Sequence, residues 1–218
     1  QYASTPAQLE AGKEATLLFT PKVVGKESEA VPLDVQHEKK IHLIVVSNDL
    51  SYFEHIHPDF QADGSYKIGV LPTGKTYTNG PGKNETRFEA GGDYTLFADY
   101  LPSGGSHQVE KVSVNVKGTP KPAVTYTADK LTGKSDNFTV MLNATGGKLI
   151  TGAQMHISGM LMKDGKEIDV NTLENYLGAK AHMVVVSLSD KEYLHVHPDV
   201  SGGKFDLHTT FKMPGIYR

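Results

Sequence analysis

Residues 41–59 read IHLIVVSNDLSYFEHIHPD, and residues 181–199 read AHMVVVSLSDKEYLHVHPD. The two segments align without a gap at an offset of 140 residues, and eight of their nineteen positions are identical, three of them histidines. Six of the ten histidines in the 218-residue chain therefore fall in these segments. An internal repeat of this kind predicts two copies of one structural unit.

Each copy has the pattern of a β-hairpin, because an apolar β-branched run is followed by a short polar break and an alternating run. His55 and His57 are two residues apart, so on a strand they share one face, about 7 Å apart. If the turn is centred between Asp49 and Leu50, His42 pairs with His57, and the three imidazoles converge on one face. A register slip of one residue would turn His42 to the other face.

Outside the repeat, short alternating runs are separated by glycine- and proline-rich turns, with almost no helical pattern. This pattern predicts an all-β fold, and such strand spacing is typical of a sandwich or barrel. We predict two tandem immunoglobulin-like β-sandwich domains, residues 1–117 and 123–218, with a linker at 118–122 that holds two prolines and a glycine. A single larger β domain with internal symmetry is the structural alternative.

The second repeat ends early in this alignment. The segment from Phe211 to Tyr217 matches that from Phe88 to Tyr94 at an offset of 123 residues. In the first domain two strands are predicted from Tyr94 onward, whereas only Arg218 follows Tyr217. We therefore expect the second sandwich to be incomplete, missing its C-terminal strands. Because folded proteins avoid uncovered sheet edges, either the natural chain continues past Arg218 or a neighbouring molecule supplies these strands.

Composition excludes several classes of protein. The formal net charge is −3 and no basic run is present, so we expect no nucleic-acid partner. No apolar run approaches the about 18 residues that indicate a transmembrane helix, so we expect no membrane span in this chain. Cysteine is absent, which excludes disulfides and thiolate metal sites.

A family resemblance rests on four features of the sequence. Three of them are an apolar run that begins with histidine and ends in Val-Val-Ser, a His-x-His-Pro motif after a polar turn, and Pro-Gly-x-Tyr-Arg at 214–218. Asn-Tyr-Leu-Gly-Ala at 175–179 is a fourth. The sequence resembles a group of uncharacterised exported bacterial proteins with FixH-like and YtkA-like immunoglobulin-like domains. The resemblance implies a secreted, periplasmic or cell-envelope location and a metal, copper in particular, and it implies no reaction.

The repeated histidines are candidate metal ligands. Neutral imidazole suits copper and zinc, and three nitrogen donors are a common core of such sites. We predict one site per repeat, from His-x-His on one strand and a third histidine on the facing strand: His42, His55 and His57, then His182, His195 and His197. The alternative is structural, because a histidine beside a proline often only hydrogen-bonds backbone. Asp59 follows the first His-x-His-Pro motif and Asp199 follows the second. Each is a candidate either for a carboxylate that orients a histidine or for a residue that forms the turn.

Other candidates are weaker. His107 precedes the last strand of the first domain in a glycine-rich turn and is a weaker candidate to reach the first site. His37, His156 and His208 have no counterparts in the other repeat and are expected at the surface or in the core. Three methionines near His156, at positions 155, 160 and 162, fit core packing better than a Cu(I) site. No nucleophile motif or phosphate-binding loop is present, so we do not expect an enzyme.

Two functions fit these observations. In the first, the chain is an exported or periplasmic metal-binding protein, with copper before zinc as the ion. In the second, it is an adhesion or scaffold module whose partner is another cell-envelope protein, and the histidines only brace the hairpins.

Overall fold

The computed structural model describes residues 1–77, 84–196 and 198–218, which form two compact units, Gln1–Val124 and Thr125–Arg218. The described chain is nearly all β-structure, as the sequence predicts. Residues 118–122, the predicted linker, lie in the first unit, where Gly91 and Pro120 form a parallel backbone bridge.

The first unit contains the strands β1 (Tyr2–Thr5), β2 (Leu9–Glu10), β3 (Ala15–Phe19), β4 (Leu33–Asp34), β5 (Ile41–Ser47), β6 (Phe53–Ile56), β7 (Asp59–Phe60), β8 (Tyr66–Val70), β9 (Glu85–Thr86), β10 (Gly92–Pro102) and β11 (Gln108–Lys117). They form two sheets. One has the order β1-β3-β8-β7 with β9 beside β8, and the other has the order β2-β11-β10-β5-β6 with β4 beside β10.

Alternating side chains of the two sheets fill the core of the first unit. Leu17 on β3 and Ile68 on β8 come from one sheet, and Leu43 on β5 and Leu96 on β10 come from the other. All four are 0% exposed. Burial of each such side chain contributes about 1.5–3 kcal/mol, so this two-sheet packing holds β5 firmly in the sandwich.

The second unit contains β12 (Thr132–Ser135), β13 (Phe138–Ala144), β14 (Gln154–Lys163), β15 (Lys166–Ile168), a 3₁₀ helix (Val170–Thr172), β16 (Met183–Val186), β17 (Tyr193–Val196), β18 (Asp199–Ser201) and β19 (Lys204–Thr210). One sheet has the order β12-β13-β14-β19-β18, with β15 beside β14. β16 and β17 form a two-stranded sheet.

The two sheets of the second unit also pack face to face. Buried Ile157 and Leu207 belong to the larger sheet, and Val185, Leu194 and Val196 of the hairpin pack against the same cluster. Val185 and Val196 are only half-buried, whereas the corresponding Val45 on β5 and Ile56 on β6 of the first unit are each 0% exposed.

The two tyrosines aligned in the sequence each pack against the aligned phenylalanine of their own unit. The Tyr94 ring lies 4.8 Å from Phe88 at 66°, and the Tyr217 ring lies 4.9 Å from Phe211 at 64°. In the first unit β10 continues from Tyr94 along β5. In the described part of the second unit, Arg218 exchanges backbone hydrogen bonds with Val186 on β16. The expectation that further strands follow Arg218 stays a prediction.

Candidate metal centre

The hairpin of β5 and β6 carries the first set of histidines. Leu43 pairs with Ile56 and Ile44 pairs with His55, a register that places His42 opposite His57. A turn centred between residues 49 and 50 predicts this register. Leu43 and Ile56 point into the core. Because side chains alternate along a strand, the three histidines share the opposite face.

Asp49 closes the turn of this hairpin. Its Oδ1 accepts hydrogen bonds from the Ser47 hydroxyl at 2.6 Å and from the Ser51 hydroxyl and N–H at 2.8 and 3.1 Å. Its Oδ2 accepts from the Val124 N–H at 2.8 Å. Burial alone would raise the pKa of Asp49, but these hydrogen bonds outweigh it and hold the pKa well below its usual range. The ionised carboxylate therefore fixes the turn, and with it the hairpin register.

Three ring nitrogens converge on the face of the hairpin opposite the core. His42 Nδ1 lies 3.1 Å from His55 Nε2 and 3.2 Å from His57 Nε2. One ligand atom from each residue lies within 4.8 Å of the other two. His42 and His57 are each 2% exposed, and His55 is half-buried. This buried histidine triad could hold a metal ion.

The second ring nitrogen of His42 is bound to the backbone. His42 Nε2 lies 2.9 Å from the carbonyl oxygen of Gln36. A carbonyl oxygen only accepts, so in the neutral ring Nε2 carries the proton and Nδ1 carries the lone pair. Metal-binding histidines commonly donate their other ring N–H to a carbonyl or carboxylate in this way. The bond therefore directs the lone pair of His42 toward His55 and His57.

A buried carboxylate lies beside the triad. Asp99 on β10 is the direct cross-strand partner of His42, on the side of β5 away from β6. Opposed residues of antiparallel strands share a face. The Asp99 side chain is 4% exposed, and its Oδ1 lies 2.5 Å from His107 Nε2. His107 was a candidate to reach the first site, and it contacts the Asp99 carboxylate, which lies beside the triad.

The hairpin of β16 and β17 repeats part of this geometry. His182 Nε2 lies 2.9 Å from the Tyr176 carbonyl oxygen, which corresponds to the bond of His42. The rings of His182 and His195 are 6.2 Å apart. The strand register is the same, because Met183 pairs with Val196. His197, the third predicted ligand, lies outside the described residues.

The distances in the first triad fit a small transition-metal ion. Metal–imidazole bonds of 2.0–2.1 Å at tetrahedral angles would place the nitrogens about 3.3–3.4 Å apart. The two distances from His42 Nδ1, 3.1 and 3.2 Å, are close to this value. At two of the three pairs, the ring nitrogens therefore already have about the spacing that one ion needs.

The remaining candidates lie elsewhere. Asp59 is exposed at the start of β7, and its carboxylate accepts a hydrogen bond from the Asn84 side-chain amide. Asp199 is exposed at the start of β18, where it pairs with Asp206. Met155 is 5% exposed within the core of the second unit, and alternation along β14 directs it away from His156.

Comparison with protein families gives one match. The family model for a domain of unknown function (DUF8832) matches residues 2–118 and 133–218, which is most of the chain. The chain belongs to this family. Searches of curated proteins and of solved structures each found no match. In the described part of the chain, no helix has the length and apolar composition needed to cross a membrane.

Proposed function

We propose that this chain is an exported metal-binding protein in which His42, His55 and His57 bind a copper or zinc ion. The observation that carries the proposal is the position of His42 Nδ1, 3.1 and 3.2 Å from ring nitrogens of the other two histidines. A purely structural role for three imidazoles needs no such convergence of three ring nitrogens, since a single hydrogen bond per ring suffices.

Copper is proposed ahead of zinc as the ion that the triad binds. An all-nitrogen set suits both metals, and a given site generally binds Cu²⁺ more tightly than Zn²⁺. The chain has no cysteine, so thiolate ligands are excluded. The buried Asp99 carboxylate adds negative charge beside the site, which favours a cation over the empty triad.

The second hairpin is proposed to hold a second ion through His182, His195 and His197. Its support is the hydrogen bond from His182 to the Tyr176 carbonyl, which orients the ring as in the first hairpin. Export is proposed from the sequence resemblance alone.

One observation favours the alternative of an envelope scaffold module with structural histidines. The bond from a histidine ring to a backbone carbonyl six residues earlier occurs in both hairpins, at His42 and at His182. Such a bond ties the preceding turn to the hairpin whether or not a metal is bound.

Metal titration decides between these roles. We expect the full chain to bind Cu²⁺ and Zn²⁺ in calorimetric titrations, and the double variant His55→Ala/His57→Ala to bind one equivalent fewer of each. Phe53→Ala is the matched control, because Phe53 shares the face of His55 on β6 but offers no ligand and is 54% exposed. We expect it to bind as the parent does.

A conservative variant keeps the test valid if the alanine variant unfolds. His55→Gln/His57→Gln preserves hydrogen-bonding side chains and should lose the same equivalent. Unchanged copper and zinc binding in a folded variant of either kind would overturn the proposal and favour the bracing role.

A further inference from the structure

A second cluster of histidines lies on the larger sheet of the second unit. His156 on β14 and His208 on β19 are direct cross-strand partners. Asp206 precedes His208 by two residues and therefore lies on the same face of β19. One ligand atom from each of the three residues lies within 4.8 Å of the others. The donor set is two imidazoles and one carboxylate.

Both imidazoles are arranged around one carboxylate oxygen. His156 Nε2 is in contact with Asp206 Oδ1, and His208 Nε2 lies 3.8 Å from the same atom. The two rings are stacked, with centroids 4.9 Å apart and planes 13° apart. Both Nε2 atoms therefore face the same carboxylate oxygen, and an ion between them would require the two rings to tilt toward each other.

The far side of the His156 ring also has a partner. Thr145 Oγ1 lies 3.0 Å from His156 Nδ1. The Asp206 carboxylate only accepts, so in the neutral ring Nε2 carries the proton and the Thr145 hydroxyl donates to Nδ1. A metal at Nε2 would take the place of this proton, and the Nδ1–H would then donate to the Thr145 hydroxyl oxygen, as the outer nitrogen of a metal-binding histidine commonly does.

Charge on the neighbouring strand favours a cation at the same place. Asp199 on β18 is the direct cross-strand partner of Asp206. Two like charges directly opposite each other on antiparallel strands are destabilising. A bound divalent ion would offset this repulsion.

We infer that His156, Asp206 and His208 form a site for a divalent transition-metal ion such as Zn²⁺. Two histidines and a carboxylate are a recurrent set for zinc and for non-haem iron, with positions left open for water or a substrate. The side chains of His156, Asp206 and His208 are 44%, 20% and 51% exposed, so solvent reaches the site. The site is separate from the hairpin histidines and goes beyond the proposed function.

The test uses the full chain and Zn²⁺ alone. Calorimetric titration should show that His208→Ala and Asp206→Asn each bind one equivalent of Zn²⁺ fewer than the parent. Thr210→Ala is the matched control, because Thr210 lies on the same face of β19 two residues from His208 and offers no imidazole or carboxylate. It should bind as many equivalents as the parent.

Asp206→Asn keeps the result decisive if His208→Ala fails to fold, since it preserves the size of the side chain and removes the repulsion with Asp199. Parental Zn²⁺ stoichiometry in a folded variant of either kind would overturn the inference. The hairpin site is tested separately by His55→Ala/His57→Ala. The two titrations can therefore contradict one proposed site without contradicting the other.

Discussion

The Nδ1 atom of His42 lies 3.2 Å from the Nε2 atom of His57, although the residues are 15 positions apart in the sequence. The other nitrogen of the His42 ring contacts the Gln36 carbonyl oxygen. The ring is thus fixed at both ends, by the backbone on one side and by a facing imidazole on the other. A ligand held in this way loses little conformational freedom when it binds a metal.

We predict that Asp99→Asn weakens Cu²⁺ binding at the His42 site by about ten-fold, the lower end of the effect of such outer residues. The substitution removes a buried negative charge beside His42 while keeping the size of the side chain. His107→Ala, which removes only the partner of Asp99, should have a smaller effect. Competition titration with a copper-chelating dye measures both.

The control for this prediction is Asp93→Asn. Asp93 is exposed on the same strand, six residues from Asp99, so the variant changes the net charge equally but about 20 Å away. Equal Cu²⁺ affinities of the Asp93 and Asp99 variants would contradict a role for Asp99.

Metal binding should also depend on pH. Only neutral imidazole binds a metal, and an unperturbed histidine titrates near pH 6.5. Since three imidazoles must each be neutral, Cu²⁺ affinity should fall by at least about ten-fold between pH 7.5 and 5.5. The measurement is the same dye competition, repeated at several pH values. A flat profile would indicate ligands other than His42, His55 and His57.

The sequence predicted the first triad because its geometry is local. Fifteen residues separate His42 from His57, and the polar break between the strands is short, so pattern and turn position were enough to set the register. The all-β architecture followed from strand spacing in the same way. These inferences depend only on neighbours along the chain.

Contacts between distant strands could not be predicted. His156 and Asp206 are 50 residues apart, and they meet only because β14 and β19 are adjacent in the sheet. Asp99 lies beside His42 for the same reason, through the pairing of β10 with β5. No periodicity within one strand specifies which other strand becomes its neighbour. The sequence therefore assigned His156 to the surface or core and gave Asp99 no role.

Tyr94→Phe should destabilise the first unit by about 1 kcal/mol, the usual net value of one hydrogen bond. Tyr94 is 6% exposed, and its hydroxyl donates to the Ala90 carbonyl oxygen at 3.0 Å. The variant leaves this buried carbonyl without that donor. Urea unfolding followed by circular dichroism measures the change, and Tyr100→Phe is the control because Tyr100 is only half-buried. A stability equal to that of the parent would contradict the prediction.

Asp49→Ala should destabilise the first hairpin by about 1 kcal/mol at neutral pH, a value reduced for the partial exposure of the carboxylate. The pKa of Asp49 is depressed in the folded chain, because hydrogen bonds from Ser47, Val124 and Ser51 outweigh the effect of burial. A depressed pKa means that the stabilisation is complete above the unfolded value of about 3.9 and is lost as pH falls toward the folded value.

The difference in unfolding free energy between the parent and Asp49→Ala should therefore be constant above about pH 5 and should narrow below about pH 4. Urea unfolding at a series of pH values measures this difference. Asn48→Ala is the matched control, because Asn48 is an exposed residue of the same turn whose backbone N–H, not its side chain, bonds to Asp93. A difference that widens as pH falls would mean that the Asp49 carboxylate is not the ionised acceptor that fixes the turn, and the register of His42 and His57 would need another explanation.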